Sequence, residues 1–308
     1  MSLVFDRIAV LGVGLIGSSI AHGARESGAA GSVALYDANE SVRKRARELK
    51  LGEVFDSAED AVGNADLVVL SVPVGAMSGA AAAMKDALKP GAIVTDTGSV
   101  KRSVVDAVLA QVPEHAFLVP GHPLAGTEHS GPDAGFASLF HGRWQIITPL
   151  LDARPEYAAA ADKLESFWRA LGANVERMDV DRHDVVLAVT SHLPHLIAFN
   201  IVAMAEDLES VTEGEVVKYS ASGFRDFTRI AASDPTMWRD VFLNNKEAVL
   251  EVLGRFTEDL AALQRAIRWG DGKVLYDLFD RARRMRREVI EAGQDTAAPN
   301  WGRDEKTP

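Results

Sequence analysis

A stretch in the middle of the chain, residues 119–131, combines two histidines with two prolines and three glycines. It follows an apolar run, and its composition predicts a rigid polar loop. His122 within it titrates in the range in which a side chain can accept and return a proton near neutral pH. Because a single loop histidine is more often an ordinary surface side chain, its interpretation depends on where the loop lies.

Two other polar segments also follow apolar runs: Ser71-Val72-Pro73 after 67–70, and Asp96 to Lys101 after 92–95. Ligands bind beyond the carboxyl ends of the strands in open parallel sheets, so we expect the three segments to converge. Ser99 and His122 are then a natural catalytic pair. One would accept the proton of a substrate hydroxyl, and the other would fix that hydroxyl by hydrogen bonding.

A glycine motif near the N-terminus indicates the cofactor. The sequence GVGLIG at 12–17 follows an apolar run, opens an amphipathic stretch and lies 20 residues before Asp37, counted from its last glycine. The first two glycines let the turn tighten and approach a pyrophosphate, and the third lets helix and strand pack closely. The N-terminus of the following helix offers free N–H groups and a positive dipole.

Asp37 would accept hydrogen bonds from ribose hydroxyls and repel a 2′-phosphate, which predicts NAD rather than NADP. Arg43 and Arg45 could soften this preference, so NADP stays possible. The predicted cofactor-binding residues are Gly12, Gly14, Leu15, Ile16, Gly17, Asp37, Ser71 and Pro73, with the last two on the nicotinamide side.

The first half of the chain contains the elements that would position these groups. Its apolar runs alternate with helix-like stretches, which is typical of a parallel sheet covered by helices on both faces. We therefore predict an α/β Rossmann-type dinucleotide-binding domain over residues 1–179. The stretches 144–148 and 174–177 are expected to extend the same layer.

From Arg182 onward strand signals largely vanish, and apolar residues recur at helical spacing over 183–207, 213–225, 236–267 and 272–292. We predict an all-α dimerisation and substrate domain over 180–293, followed by a flexible tail over 294–308. A helix of about 30 residues in so small a domain usually packs against another copy, so we expect a homodimer.

Two motifs in the helical half contain ionisable groups. His192 and His195 stand three apart around a helix-distorting proline, but a metal would need more ligands, so no metal site is predicted. Asp226 and Arg229 also stand three apart, on one face if helical. The acid could hold the guanidinium to grip a substrate carboxylate, although a surface ion pair fits these two residues equally well.

The composition excludes several classes of protein. The length of 308 residues suggests two domains, and the net charge of −11 argues against a nucleic-acid partner. The absence of cysteine excludes disulfides and thiolate sites. We find no apolar run of about 20 residues and no signal peptide, and therefore expect a cytoplasmic protein with no membrane partner.

The ordered motifs resemble the prephenate/arogenate (cyclohexadienyl) dehydrogenases of tyrosine biosynthesis, over nearly the whole chain. GHPLAGTEHSG at 121–131 and GFRDFTRIA at 223–231 are much more specific than the glycine motif. The resemblance implies NAD-dependent oxidative decarboxylation of prephenate and/or arogenate to 4-hydroxyphenylpyruvate and/or tyrosine. His122 would accept the proton of the C4 hydroxyl, and Ser99 would orient that hydroxyl. The substrate contacts that it implies are Arg229, Asp226, His192, His195, Thr127, Glu128 and Trp238.

Two alternatives stay open. A β-hydroxyacid-type dehydrogenase would typically use a lysine of the helical half, where Lys218 and Lys246 have the pattern of helix-surface residues. A non-catalytic NAD-sensing protein would need none of the Ser99, His122 and Arg229 set. The sequence leaves the choice between prephenate and arogenate open.

Overall fold

A computed structural model describes residues 3–127, 129–209 and 218–291. Six parallel strands form one sheet in the order β3-β2-β1-β4-β5-β6, the order of dinucleotide-binding sheets. The strands are β1 Phe5–Leu11, β2 Ala30–Tyr36, β3 Glu53–Val54, β4 Leu67–Leu70, β5 Ile93–Asp96 and β6 Phe117–Leu118. The predicted fold class, a Rossmann-type sheet followed by a helical half, is confirmed.

Helices cover both faces of this sheet because its strands are apolar on both sides. Ile8 and Val10 of β1 pack into one buried cluster, while Ala9 and Leu11 pack into the cluster on the opposite face. The helices of this half are α1 Leu15–Ser27, α2 Glu40–Glu48, α3 Ala58–Val62, α4 Met77–Met84, α5 Arg102–Leu109 and α6 Glu156–Ala170.

A second sheet of three strands lies beside the first, in the order β7 Gly121–Pro123, β8 Trp144–Ile147 and β9 Asn174–Arg177. The expectation that 144–148 and 174–177 extend the first layer was therefore wrong, and so was the prediction of an entirely irregular loop after β6. Gly121 is closely packed where β7 meets β8. A Cβ at this position would lie 2.7 Å from Nε2 of Gln145, a buried side chain of β8.

The helical half begins with α7 Val180–Leu187, continues through a π-helical turn at Ala188–His192 and leads into α8 Leu193–Glu209. The remaining helices are α9 Ser222–Thr228, α10 Pro235–Asn244, α11 Lys246–Trp269 and α12 Gly272–Glu291. Residues 213–217 of the helix predicted over 213–225, and the tail predicted over 294–308, lie outside the described residues. Within 218–225 the described helix α9 begins at Ser222.

The single helix expected over 236–267 is two helices, because the chain leaves helical geometry at Asn245 (φ −113°, ψ 35°). This residue is buried, and its side-chain amide bonds to the carbonyl oxygen of Asp184 instead of facing solvent. A hydrogen bond between residues 61 apart in the sequence interrupts a helix that local periodicity alone would continue.

Among the described residues one helical stretch, 180–208, is long and apolar enough to cross a membrane by length and composition. The sequence analysis did not anticipate it. Three polar residues of this stretch, His183, Asp184 and His192, are buried and hydrogen-bonded to side chains or backbone of other elements. Such contacts are those of a helix packed within a protein.

Candidate active site

The glycine turn between β1 and α1 is closely packed on one side and open on the other. Gly12 has a φ of 95°, and a Cβ there would lie 2.3 Å from the carbonyl oxygen of Ser71. A Cβ on Gly17 would lie 2.0 Å from the carbonyl oxygen of Gly12. Gly14 has no described atom within 4 Å of its ideal Cβ position, which leaves its backbone accessible to a ligand.

Helix α1 begins without the partners that a helix N-terminus usually has. No side chain caps it at Gly14, and its first turn, which includes Leu15 and Ile16, contains no acidic residue. Asp37 lies beside the turn, since its carboxylate accepts the N–H of Val13 at 2.9 Å. Free N–H groups, an open glycine and an adjacent carboxylate fit the pyrophosphate and ribose of a dinucleotide.

The segments that follow β4 and β5 meet at the carboxyl edge of the sheet, as their order along the chain predicts. The hydroxyl of Thr97 donates to Oγ of Ser71 at 3.2 Å. Ser71 is half-buried and Pro73 is exposed. Both predicted nicotinamide-side residues therefore stand at the edge where the glycine turn lies.

A buried ion pair fixes the backbone before His122. Lys101 and Asp96 are both fully buried and joined to each other. The ammonium of Lys101 also donates to the carbonyl oxygen of Gly121 at 2.7 Å, and the carboxylate of Asp96 accepts the N–H of Gly121 at 3.1 Å. Gly121 is thus held through both of its peptide groups, and the loop after β5 determines the position of β7.

His122 belongs to a chain of three ionisable groups. It is 7% exposed, and its Nδ1 lies 2.9 Å from Nε2 of His183. Nδ1 of His183 lies 2.8 Å from a carboxylate oxygen of Asp184. Nε2 of His122 has no hydrogen-bond partner within the described part of the chain. His183 and Asp184 were not predicted from the sequence, although an adjacent His-Asp pair at the start of the helical half was the available signal.

Asp184 also connects the two halves of the protein. Its carboxylate accepts the N–H groups of Lys101 at 2.8 Å and Arg102 at 2.9 Å, at the start of α5. Its carbonyl oxygen accepts a hydrogen bond from Nδ2 of Asn245, which lies 3.0 Å from Nδ1 of His192. Asp184 of α7 therefore contacts both the start of α5 in the first half and the break between α10 and α11.

The buried histidines are held in their neutral forms. Burial lowers the pKa of His122 well below 6.5, and His183, Lys101 and His192 lower it further. Burial also lowers the pKa of His183, against the opposing effect of Asp184. Burial is likewise the main cause that lowers the pKa of His192 to about 4. At neutral pH the imidazole of His122 can therefore accept a proton.

The lowered pKa of His122 predicts the pH dependence of turnover. A base is active when deprotonated, and a lowered pKa keeps it deprotonated to lower pH, so the acid limb of kcat/KM should lie below pH 6.5. Initial rates at saturating NAD over a pH series would measure this limb. A limb at or above pH 6.5 that disappears when His122 is replaced would show that the pKa of His122 is not lowered, and a limb that persists in that variant would show that another group causes it.

A second group of side chains lies between the loop after β5 and the helical half. His195 stacks on Trp238 with ring centroids 3.7 Å apart, and Val100 packs against the same indole. Nε2 of His192 and Nε1 of Trp238 are buried and have no hydrogen-bond partner in the described structure. Two buried nitrogens without partners are what a polar ligand would satisfy.

The other predicted residues are less closely connected to this group. Ser99 is half-buried, and no hydrogen bond joins it to His122 in the described structure, although its backbone raises the pKa of His192.

Arg229 is exposed. The pKa of His195 is lowered mainly by burial, and the charge of Arg229 lowers it further. Asp226 is exposed and makes no described ion pair with Arg229. Thr127 lies in an exposed loop, and Glu128 falls outside the described residues.

Two family models match the chain. Residues 20–177 match the nucleotide-binding domain of prephenate dehydrogenase, and residues 179–281 match its dimerization domain. A cyclohexadienyl dehydrogenase of Zymomonas mobilis is 46% identical over 92% of this chain and 96% of the relative. A prephenate dehydrogenase of Bacillus subtilis is 30% identical over 93% of this chain and 76% of the relative.

Solved structures agree with these matches. The prephenate dehydrogenase of Aquifex aeolicus, in complex with hydroxyphenyl propionate and NAD+, superposes with a TM-score of 0.86. It is 34% identical, and the match covers 94% of this chain and 100% of that chain. The arogenate dehydrogenase of Synechocystis superposes with a TM-score of 0.76 at 25% identity, over 92% of this chain and 99% of that one.

Proposed function

The chain belongs to the prephenate dehydrogenase family, and from this premise we propose that it oxidises and decarboxylates prephenate, arogenate or both in tyrosine biosynthesis. NAD is the oxidant. The observation that carries the proposal is His122, a buried neutral histidine at the carboxyl edge of a dinucleotide-binding sheet. Its Nδ1 has a partner, and its Nε2 has none among the described residues.

The substrate is a cyclohexadienol with a hydroxyl at C4, a ring carboxylate, and a pyruvyl side chain in prephenate or an alanyl side chain in arogenate. Bound NAD would accept the hydride from C4. Nε2 of His122 accepts the proton of the C4 hydroxyl, and Ser99 orients that hydroxyl. Loss of the ring carboxylate as CO2 leaves an aromatic phenolate, which takes the proton back from His122, and it makes the reaction effectively irreversible.

The residues of the glycine turn would hold the cofactor. Gly14 and the first turn of α1, including Leu15 and Ile16, would bind the pyrophosphate, while Asp37 would bind the adenosine ribose and favour NAD over NADP. The guanidinium of Arg43 is already hydrogen-bonded to the carbonyl oxygen of Asp37 at 2.9 Å, which supports this preference because that group is engaged elsewhere. Ser71 and Pro73 face the nicotinamide half.

The far end of the substrate lies against the helical half. Arg229 binds a substrate carboxylate, and the unpartnered nitrogens of His192 and Trp238 support hydrogen bonds to the same molecule. His195 stacks on Trp238 and keeps this indole in place. Asp226 is a supporting contact beside Arg229, and the substrate entrance is assigned to Thr127 and Glu128.

Replacing Arg229 with alanine should raise KM for the substrate by roughly 10–10²-fold, the effect of losing one charge-assisted contact of about 1.5–3 kcal/mol. NAD affinity should hardly change, because Arg229 belongs to the helical half. Initial rates at varied substrate would measure the effect. Arg225→Ala is the matched control, since this exposed arginine lies four residues earlier and has no proposed role. Equal KM values for the two variants would remove Arg229 from the site.

We also propose a cytoplasmic homodimer that pairs through residues 180–293, with residues 1–179 as the NAD-binding domain. The helices of this half expose large apolar side chains, which a second copy would cover. Among the described residues these include Val189 and Met204 on the helical stretch after β9 and Ile267, Trp269, Tyr276 and Phe279 on α11 and α12.

The stoichiometry of the products tests the proposed function. Purified protein supplied with NAD and prephenate or arogenate should form NADH and CO2 in equal amounts, together with 4-hydroxyphenylpyruvate or tyrosine. NADH without CO2 from a hydroxy acid would favour the β-hydroxyacid dehydrogenase alternative. Binding of NAD without oxidation of either substrate would favour an NAD-sensing protein.

A further inference from the structure

The fate of the substrate proton raises a question about His122 that the proposed function leaves open. The substrate loses a hydride and CO2, and the chain itself must hold its hydroxyl proton only until the phenolate formed by loss of CO2 takes the proton back. His122 is buried, and the ammonium of Lys101 is buried nearby and lowers the pKa of its imidazole. A positive charge confined to His122 is therefore unfavourable.

Burial and Lys101 lower the pKa of His183 as well, but Asp184 raises it, whereas all the groups that act on His122 lower its pKa. The pair of His183 and Asp184 therefore offers this charge a better position. Nε2 of His183 lies 2.9 Å from Nδ1 of His122, and Asp184 lies on the other side of the His183 ring at 2.8 Å. Burial raises the pKa of the Asp184 carboxyl, but His183 and the N–H groups of Arg102 and Lys101 outweigh it, so that pKa lies below its usual range. Asp184 is thus an anion at neutral pH.

The anion determines which nitrogens hold protons. An ionised Asp184 can only accept, so Nδ1 of His183 donates to it and the neutral ring keeps Nε2 as an acceptor. The partner of that acceptor, Nδ1 of His122, must then be the donor. Neutral His122 is left with an unprotonated Nε2, the nitrogen that has no partner in the described structure.

We propose that His183 and Asp184 form a proton relay behind His122. As Nε2 of His122 takes the substrate proton, the proton on Nδ1 of His122 moves to Nε2 of His183. The step breaks the substrate O–H and His122 Nδ1–H bonds and forms two N–H bonds. His122 stays neutral, and the positive charge resides on His183 beside the carboxylate of Asp184. His183 and Asp184 are positioning residues, because they act through His122.

The relay also links catalysis to the arrangement of the two halves. His122 lies on β7 in the first half, whereas His183 and Asp184 lie on α7 in the helical half. The other ionisable groups around the relay are Lys101 and Asp96, which pair with each other, and the neutral His192. A shift of α7 relative to β7 would separate the base from its relay.

A spectroscopic test of the relay needs no turnover. Nitrogen-15 NMR of histidine-labelled protein, with His122 assigned from the His122→Asn variant, should show a protonated Nδ1 and an unprotonated Nε2 on His122. In His183→Asn this preference should weaken or disappear. A wild-type His122 with its proton on Nε2 would overturn the proposal.

The kinetic test compares His183→Asn and Asp184→Asn with wild type. Each variant should lower kcat by roughly 10–10³-fold, below the effect of losing the base and in the range of a missing orienting partner. KM for substrate and Kd for NAD should stay within about twofold of the wild-type values, because neither side chain is proposed to bind either molecule. A proton inventory in mixed H2O and D2O should be curved in wild type, with two protons moving, and linear in His183→Asn.

Two controls keep the outcomes distinct. Asp181→Asn removes an exposed carboxylate of the same helix, and His115→Asn removes an exposed histidine outside the site, so both should leave kcat unchanged. Asp184 also caps the start of α5, so NAD binding serves as the check that each variant is folded.

The relay depends on the proposed function. An active wild type whose His183→Asn variant is equally active refutes the relay alone, and an inactive wild type refutes both.

Discussion

Replacing His122 with asparagine is expected to lower kcat by roughly 10²–10⁴-fold, the usual contribution of a positioned base. Asparagine is smaller than histidine and polar, so β7 should keep its pairing with β8, but its amide cannot accept a proton near neutral pH. NAD binding should be nearly intact, because the glycine turn and Asp37 lie on other elements. The loss should therefore appear in kcat and not in the affinity for the cofactor.

Steady-state kinetics with saturating NAD, together with NAD titration followed by protein fluorescence, would separate these two quantities. His115→Asn is the matched control, since this histidine is exposed and its Nε2 contacts only the carbonyl oxygen of Leu88 among the described residues. Turnover of His122→Asn within a few-fold of wild type would show that another group accepts the proton.

Replacing Lys101 with methionine should lower the free energy of unfolding by about 3–5 kcal/mol, the effect of leaving one partner of a buried ion pair without the other. Asp96 would remain fully buried, with the N–H groups of Gly98 and Gly121 as its remaining partners. The carbonyl oxygen of Gly121 would also lose the donor that it has now. Stability and the position of His122 should thus be affected together.

Denaturant unfolding monitored by far-ultraviolet circular dichroism would measure the loss. Lys89→Met is the matched control, because the pair of Lys89 with Asp66 is partly exposed and should contribute only about 0–1 kcal/mol. The double variant K101M/D96N should recover part of the stability, since it removes the unpaired charge. Equal losses of unfolding free energy for Lys101→Met and Lys89→Met would mean that the buried pair stabilises the protein no more than the partly exposed pair.

Local sequence patterns predicted the elements on which the cofactor depends. Continuous apolar runs indicated buried parallel strands, and the spacing from the glycine turn to Asp37 placed a carboxylate that the structure finds hydrogen-bonded to Val13. These features are local or follow from sheet topology. The second sheet could not be predicted in the same way, because β7 has three residues and depends on Gly121 and Gln145 packing together.

The network behind His122 lay beyond the sequence for a similar reason. His122 and His183 are 61 residues apart, and so are Asp184 and Asn245. The first contact arises from the packing of the helical half against the first half, and the second from the packing of helices within the helical half. Periodicity reports neither kind of packing. The spacing of Asp226 and Arg229 suggested an ion pair that the described residues do not form, because α9 ends at Thr228 and Arg229 begins a 3₁₀ turn.

One pair of initial-rate assays decides whether this chain oxidises and decarboxylates a cyclohexadienol with NAD. NADH formation would be followed with prephenate and with arogenate, and each assay would be repeated with NADP. We predict turnover of at least one substrate, faster with NAD than with NADP, and the ratio of the two kcat/KM values would identify the preferred substrate. No NADH from either substrate, by a protein that still binds NAD, would contradict the proposed function.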